Sequence, residues 1–106
     1  MLSPWEGFEV WREPGLKFEW SGTKAISNQQ KHGVSFEEAS TVFADFLSIT
    51  VADPFHPSTE SRFVTVGLSK GQRLLVVVHK DQGDVIRLIS ARVATAQERK
   101  RYESDG

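Results

Sequence analysis

The stretch RFVTVGLSKGQRLLVVVHKDQGDVIRLISAR, residues 62–92, decides the fold because it holds three β-rich runs separated by two short loops. The runs cover residues 62–69, 73–80 and 85–92. Loops 70–72 and 81–84 each contain a glycine, as hairpin loops commonly do. Because short loops make neighbouring strands antiparallel, the stretch predicts an antiparallel β-meander.

The segment before the meander begins with a short aromatic run at 17–20, which predicts an opening strand. Ser21 follows as the cap of a mostly polar helix that runs to Lys31. Gly33 is the residue expected just beyond the helix end, where a positive φ is needed. The helix has few apolar residues, so we expect it to lie on the surface.

A second helix is predicted to start after Ser35, because Ser35 and Glu38 form a capping box. We expect the sequence Asp45-Phe46-Leu47 to lengthen this helix slightly. Apolar residues at three- and four-residue spacing define its expected buried face, and these are Phe36, Ala39, Phe43 and Leu47.

The remaining segments complete the predicted architecture. Residues 48–52 are a plausible strand, and 53–61 form a proline-rich loop. Thr95 and Glu98 form another capping box, which opens a basic C-terminal helix. The fold class is therefore α+β, with two N-terminal helices packed on one face of the antiparallel meander and a C-terminal helix. The other face, or its rim, stays available for a partner.

Composition fits one compact domain. The chain has 106 residues, is 39% hydrophobic and contains seven Phe and three Trp, enough for one core. It has no cysteine, which excludes disulfides and thiolate metal sites and fits a reducing, cytoplasmic compartment. The three histidines show no metal-ligand spacing, so neither a metal nor a cofactor is predicted.

Charge is unevenly distributed along the chain. Residues 1–61 carry nine acids against four Lys or Arg, whereas residues 62–106 carry nine Lys or Arg against five acids. A basic second half can attract phosphate or an acidic protein. Residues 1–16 are acidic and lack a continuous apolar run, which predicts neither a signal peptide nor a membrane span. We expect a partly ordered extension at 1–16 and the domain at 17–106.

Five motifs, in this order, resemble the BrnT family of bacterial ribonuclease toxins. The motifs lie within residues 18–102. In chain order they are FEW at 18–20 with KHGVSFEEA at 31–39, RFVTVG at 62–67, GQRLLVVV at 71–78, ISARVA at 89–94 and ERKRY at 98–102. Lys24 and Asn28 also fit the first motif. Two positions depart from the family pattern: Ser21 stands for the usual Asp, and Phe46 for the usual Pro.

The resemblance implies a RelE-like fold and a type II toxin that cleaves RNA to inhibit translation. It also implies a BrnA-like antitoxin with a ribbon-helix-helix DNA-binding domain. Only the toxin–antitoxin complex would then bind operator DNA, at the promoter of its own operon.

A metal-free ribonuclease needs positive groups that hold the phosphate and stabilise its developing charge, and arginine suits this role. Four arginines lie in or beside the strand runs, namely Arg62, Arg73, Arg87 and Arg92. We predict Arg92 with Arg62 or Arg73 as the phosphate clamp. Strand alternation places Arg87 on the opposite face from Arg92 unless a bulge intervenes. Each arginine could equally be a solvated partner of an acid.

The same chemistry needs a proton acceptor and a proton donor. His32 titrates near neutral pH, although its position at a helix end also explains it structurally. Glu60, in a loop, could serve as base or could pair with an arginine. Lys24 and Lys31 could contact RNA backbone or could simply be solvated. Tyr102 could stack on a base or donate a proton, and packing against the sheet is its structural alternative.

Two other functions stay open at this point. A toxin with a RelE- or ParE-like fold could poison a protein target without cleaving RNA, since fold alone does not fix function. An inactive module could act only as an antitoxin-bound corepressor. RNA cleavage by the pure protein would distinguish a ribonuclease from a toxin that poisons a protein. Expression that is harmless without the antitoxin would indicate the corepressor module.

Overall fold

The computed structural model describes residues 10–13, 16–54 and 61–105. They form one six-stranded sheet with three α-helices and a short 3₁₀ helix. In chain order the elements are β1 Val10–Glu13, β2 Leu16–Glu19, α1 Gly22–His32, α2 Phe36–Ser40, the 3₁₀ helix Thr41–Ala44, β3 Ile49–Ala52, β4 Arg62–Leu68, β5 Leu74–Gln82, β6 Val85–Val93 and α3 Ala96–Asp105.

The sheet confirms the predicted meander and adds a parallel pair. Its strand order is β1-β2-β6-β5-β4-β3, and β3 through β6 are antiparallel neighbours. The opening strand β2 runs parallel to β6, which makes the sheet mixed. In the stretch expected to be an extension, residues 10–13 form β1 and pair antiparallel with β2.

The helices α1 and α2 pack on one face of this sheet, where both contact β6. Ser21 Oγ accepts a hydrogen bond from the Lys24 amide at 3.3 Å, and Gly33 ends α1 with φ of 68°. Ser35 Oγ caps α2 through the Glu38 amide at 3.0 Å. Apolar side chains from β2, α2, the 3₁₀ helix, β5, β6 and the segments on either side of α1 form the core. They include Phe18, Trp20, Val34, Phe36, Ala39, Val42, Leu75, Val77, Ile86, Leu88 and Ala91.

The second helix is shorter than predicted, and the inclusion of Leu47 in its buried face was wrong. The α-helix ends at Ser40 and a 3₁₀ turn ends at Ala44, so Leu47 lies beyond both and is 50% exposed. Asp45 causes the turn because its carboxylate accepts hydrogen bonds from the amides of Leu47 at 2.9 Å and Leu68 at 2.8 Å. These bonds draw the chain towards the end of β4 and stop the helix from continuing.

Gly67 allows the 3₁₀ helix to approach β4 closely. A Cβ atom at this position would lie 3.1 Å from the Cβ atoms of Val42 and Ser48 and 3.1 Å from the Val42 carbonyl oxygen. Side chains cannot fit so near the backbone without displacing it. No helix in the described ranges is both long and apolar enough to cross a membrane.

Candidate nucleic-acid interface

The sheet face opposite α1 and α2, here called the open face, carries a groove of about 530 Å³. Strand alternation produces this face, because Leu75, Val77 and His79 of β5 point to the helices while Val76 and Val78 point away. Helix α3 lies across one end of the groove. The floor is apolar and consists of Ile49, Val51, Val64, Val66, Val76, Val78 and Ile89.

The rim of the groove carries three arginines and the carboxylates of Asp53 and Glu98. Arg62 lies where β4 begins, Arg92 lies near the end of β6, and Arg101 comes from α3. Arg62 and Arg92, two of the predicted clamp residues, therefore line the same groove. An apolar floor under several guanidinium groups suits a ligand with phosphates and flat bases.

Glu98 holds the Arg92 side chain in position. The guanidinium donates two parallel hydrogen bonds to the carboxylate, Nη1 to Oε1 and Nη2 to Oε2, each of 2.8 Å. These bonds hold the pKa of Glu98 at about 2, so the carboxylate stays ionised at neutral pH. Glu98 also accepts a hydrogen bond from the Thr95 amide, which confirms the predicted capping box. The same side chain thus orients Arg92 and begins α3.

Tyr102 ties α3 to the turn below the groove. Its hydroxyl donates to Asp45 Oδ2 at 2.5 Å, and the same oxygen accepts the Leu68 amide. Burial and the nearby Asp45 carboxylate raise the pKa of Tyr102 to about 12. Burial opposes ionisation of Asp45, but its hydrogen bonds from Leu68, Tyr102 and Leu47 lower its pKa overall. Tyr102 therefore stays protonated at neutral pH and faces the groove as a hydrogen-bonded side chain.

A β-bulge places Arg87 on the open face, which corrects the expectation that it faces away from Arg92. Val78 pairs with Ser90 and His79 pairs with Leu88, so Ile89 is an extra residue in β6. The extra residue reverses the alternation, which brings Arg87 to the face that carries Arg92. Arg87 lies beyond the groove, in a smaller depression beside it.

The other predicted site residues lie on the helical side of the sheet. His32, Lys24 and Lys31 are exposed on α1, which packs against β6 from that side. Arg73 binds the Glu38 carboxylate through Nε at 3.0 Å and Nη2 at 2.5 Å, and also donates to the Gly33 carbonyl. The hydrogen bond from Arg73 lowers the pKa of Glu38. Arg73 thus joins the first two helices to the sheet, and the structure does not bring it to Arg62 and Arg92.

Glu60 lies outside the described residues. No histidine lines the groove in the described part of the chain, and no three His, Asp or Glu side chains converge there on a position that could hold a metal ion.

Sequence reasoning gave no role to His79, which is 1% exposed in the core. Its Nδ1 lies 2.6 Å from Asp81 Oδ1, and its Nε2 lies 2.7 Å from Thr65 Oγ1, which lies 2.7 Å from Thr50 Oγ1. Burial lowers the pKa of His79 although Asp81 works against this. The ring thereby links β3, β4 and β5. The sequence signal for this hydrogen-bonded pair was the i, i+2 spacing of His79 and Asp81, because residues two apart on a strand lie on the same face.

The described residues form a small α+β domain whose mixed sheet carries an arginine-lined groove on its open face. The family model described as the ribonuclease toxin BrnT of type II toxin–antitoxin systems matches residues 20–98. The chain belongs to this family. The 1.1 Å crystal structure of the Brucella abortus ribonuclease toxin BrnT is similar, with a TM-score of 0.54 and 27% identity over 72% of this chain and 92% of that one. Curated protein sequences give no match.

Proposed function

We propose that the chain is an endoribonuclease toxin with a RelE-like fold, and that it cleaves cytoplasmic RNA and thereby inhibits translation. Arg62 and Arg92 carry the proposal, because the two clamp residues line one groove on the open face. Membership of a ribonuclease toxin family supports the reaction class. Residues on the helical side, including His32 and Arg73, are not assigned to the reaction centre.

The chemistry we assign to the groove is mainly electrostatic. Arg62 and Arg92 hold the scissile phosphate and stabilise the charge that develops as the ribose 2′-oxygen attacks phosphorus and the 5′-oxygen leaves. The positive charge comes from arginines, so we propose that no metal ion is needed. Glu60, two residues before Arg62, is our candidate for the base that removes the 2′-hydroxyl proton. The leaving 5′-oxygen takes its proton from water. The ring of Tyr102 offers a stacking surface in the same space, because its hydroxyl proton is donated to Asp45.

The same groove offers a way for an antitoxin to neutralise the toxin. We propose that a BrnA-like antitoxin with a ribbon-helix-helix domain covers the groove with apolar and acidic groups. The apolar floor and the arginines of the rim are complementary to such a partner. Occupancy alone would then exclude RNA, and operator DNA would be bound only by the antitoxin's domain in the complex.

The proposal is tested by inducing the chain in a bacterium, with and without its antitoxin, while growth and bulk RNA integrity are followed. We expect growth arrest with RNA cleavage, rescue by the antitoxin, and loss of both effects in Arg62→Ala. Arg99→Ala is the matched control, because Arg99 is an exposed α3 residue 4.0 Å from Glu103 and outside the groove. Arrest with intact RNA would indicate a protein target, and harmless expression would indicate a corepressor module; either contradicts the proposal.

A further inference from the structure

Three basic residues form a row across the open face, here called the basic row: Arg62 of β4, Lys80 of β5 and Arg87 of β6. Arg62 is the register partner of Lys80, and Lys80 is the register partner of Arg87. Register partners point to the same face, so the three side chains are neighbours at one level of the sheet. The row begins at the groove, which Arg62 lines, and leads away from it.

The outer part of the basic row borders a second, smaller depression. Lys80 and Arg87 line it together with Glu19, Gln82 and Val85, and its volume is about 110 Å³. Glu19 lies on β2 as the register partner of Arg87. The depression thus has two cations and one carboxylate at its edge and is continuous with the row.

The basic row brings like charges together on neighbouring strands. Like charges directly opposite on neighbouring strands destabilise a sheet, and here two such pairs are adjacent. An anion that binds across the row would lie within reach of all three cations. Neighbouring strands lie about 4.8 Å apart, so the row spans roughly 10 Å from β4 to β6. A stacked single strand rises about 3.4 Å per nucleotide, and the row therefore matches about three nucleotides.

We propose that Lys80 and Arg87 form a second phosphate subsite, outside the groove, that holds the backbone of single-stranded RNA as it crosses β4, β5 and β6. Glu19 weakens this subsite by competing with phosphate for Arg87. The proposal rests on the proposed function, because it extends the path of the RNA that the groove binds. Lys24 and Lys31 lie behind the sheet, on α1, and make no contact with RNA on this path.

The test is binding of a fluorescent 12-nucleotide single strand with 2′-O-methyl groups, which cannot be cleaved by 2′-oxygen attack. Lys80→Ala and Arg87→Ala should each lower the association constant about fivefold at 0.1 M salt and reduce the slope of log K against log salt by about 0.7. Lys24→Ala and Lys31→Ala are the matched controls and should leave both quantities unchanged. Equal effects in the two sets of variants would overturn the proposed path.

Glu19→Gln should change RNA affinity in the opposite direction from Lys80→Ala and Arg87→Ala. Because a folding defect would lower the affinity, an increase separates an effect on binding from an effect on folding. It should tighten binding of the same oligonucleotide, because a competing negative charge is removed next to Arg87. Weaker or unchanged binding in this variant contradicts the proposal. If Lys80→Ala and Arg87→Ala keep full RNA affinity but lose antitoxin affinity, the row is a protein-binding surface and the proposal is also overturned.

Failure of the proposed function is distinguishable from failure of this inference. Binding that responds to Lys80, Arg87 and Glu19 as stated, with no cleavage of ordinary RNA, contradicts the ribonuclease and keeps the subsite. If the unaltered chain cleaves RNA but substitutions of these residues leave oligonucleotide binding unchanged, the ribonuclease is supported and the subsite is contradicted.

Discussion

The side-chain amide of Asn28 binds the backbone of Ala91 at two points and so fixes α1 on β6. Asn28 Nδ2 donates to the Ala91 carbonyl at 2.8 Å, and the Ala91 amide donates to Asn28 Oδ1 at 3.0 Å. The same Nδ2 donates to the Val34 carbonyl at 3.0 Å. Asn28 is only 6% exposed, so water cannot replace these bonds. The motif residue Asn28 therefore has a structural role next to Arg92.

Asn28→Ala should lower the free energy of unfolding by about 2–4 kcal/mol, because buried groups of Ala91 and Val34 lose their partners. Urea unfolding followed by tryptophan fluorescence measures the change. Gln30→Ala is the control, since Gln30 is exposed on the same helix and should change stability by less than about 0.5 kcal/mol. Similar values for the two variants would show that the contact with Ala91 contributes little.

Glu98→Gln should lower stability by about 1–2 kcal/mol at neutral pH, through loss of the ion pair with Arg92 and a weaker cap on α3. The folded pKa of Glu98, about 2, lies below its ordinary value of 4.5. The stabilisation is therefore fully present above pH 4.5 and lost as pH falls from 4.5 towards 2. Unfolding midpoints of both proteins measured from pH 7 to pH 2 should converge only at the acidic end.

Glu103→Gln provides the comparison for that series. Glu103 pairs with Arg99 at 4.0 Å and is 63% exposed, so its removal should have almost no effect at any pH. A Glu98→Gln difference that stays constant down to pH 2 would contradict the assigned pairing.

Tyr102 is the single tyrosine of the chain, so its ionisation can be followed directly by absorbance at 295 nm. We expect a midpoint near pH 12 in the folded protein, against about 10 in the unfolded chain. Because the folded pKa is raised, the stabilisation by Tyr102 is present below pH 10 and is lost as pH rises towards 12. A folded midpoint near 10 would mean that the hydroxyl does not bind Asp45.

Tyr102→Phe should cost about 1 kcal/mol of stability at neutral pH, through loss of the hydrogen bond to Asp45. Thermal unfolding at pH 7 measures this value. Arg101→Ala, which changes the neighbouring position without touching the bond to Asp45, should leave the Tyr phenolate titration at its raised midpoint.

Much of the fold follows from local sequence signals. The N-cap at Ser35, the capping box of Thr95 and Glu98 and the positive φ at Gly33 are set by neighbouring residues, and the structure confirms each. The other half of the box predicted at Ser35 is wrong, because the Glu38 carboxylate binds Arg73 and Ser69 instead. The β5–β6 hairpin also follows from its glycine turn, where Gly83 has φ of 62°. Such features need only a few consecutive residues, and this is why they can be predicted.

Long-range contacts account for what was not predicted. The bulge at Ile89 depends on how β6 pairs with β5, and it alone moved Arg87 to the open face. Arg73 binds Glu38, which is 35 residues away, so its separation from Arg62 required the three-dimensional arrangement. The early end of the second helix depends on Asp45 reaching Leu68. The candidate arginines could be named from sequence, but their grouping could not.

The claim that RNA is cleaved on the open face can be decided by one experiment, the cleavage of end-labelled single-stranded RNA by the purified chain in excess EDTA. We expect cleavage that Arg62→Ala reduces by at least about a hundredfold, the usual effect of removing one group that stabilises a transition state. Lys31→Ala, on the helical side, should cleave at the rate of the unaltered chain. Full cleavage by Arg62→Ala together with loss of cleavage in Lys31→Ala would contradict the claim and place the reaction on the other side of the sheet.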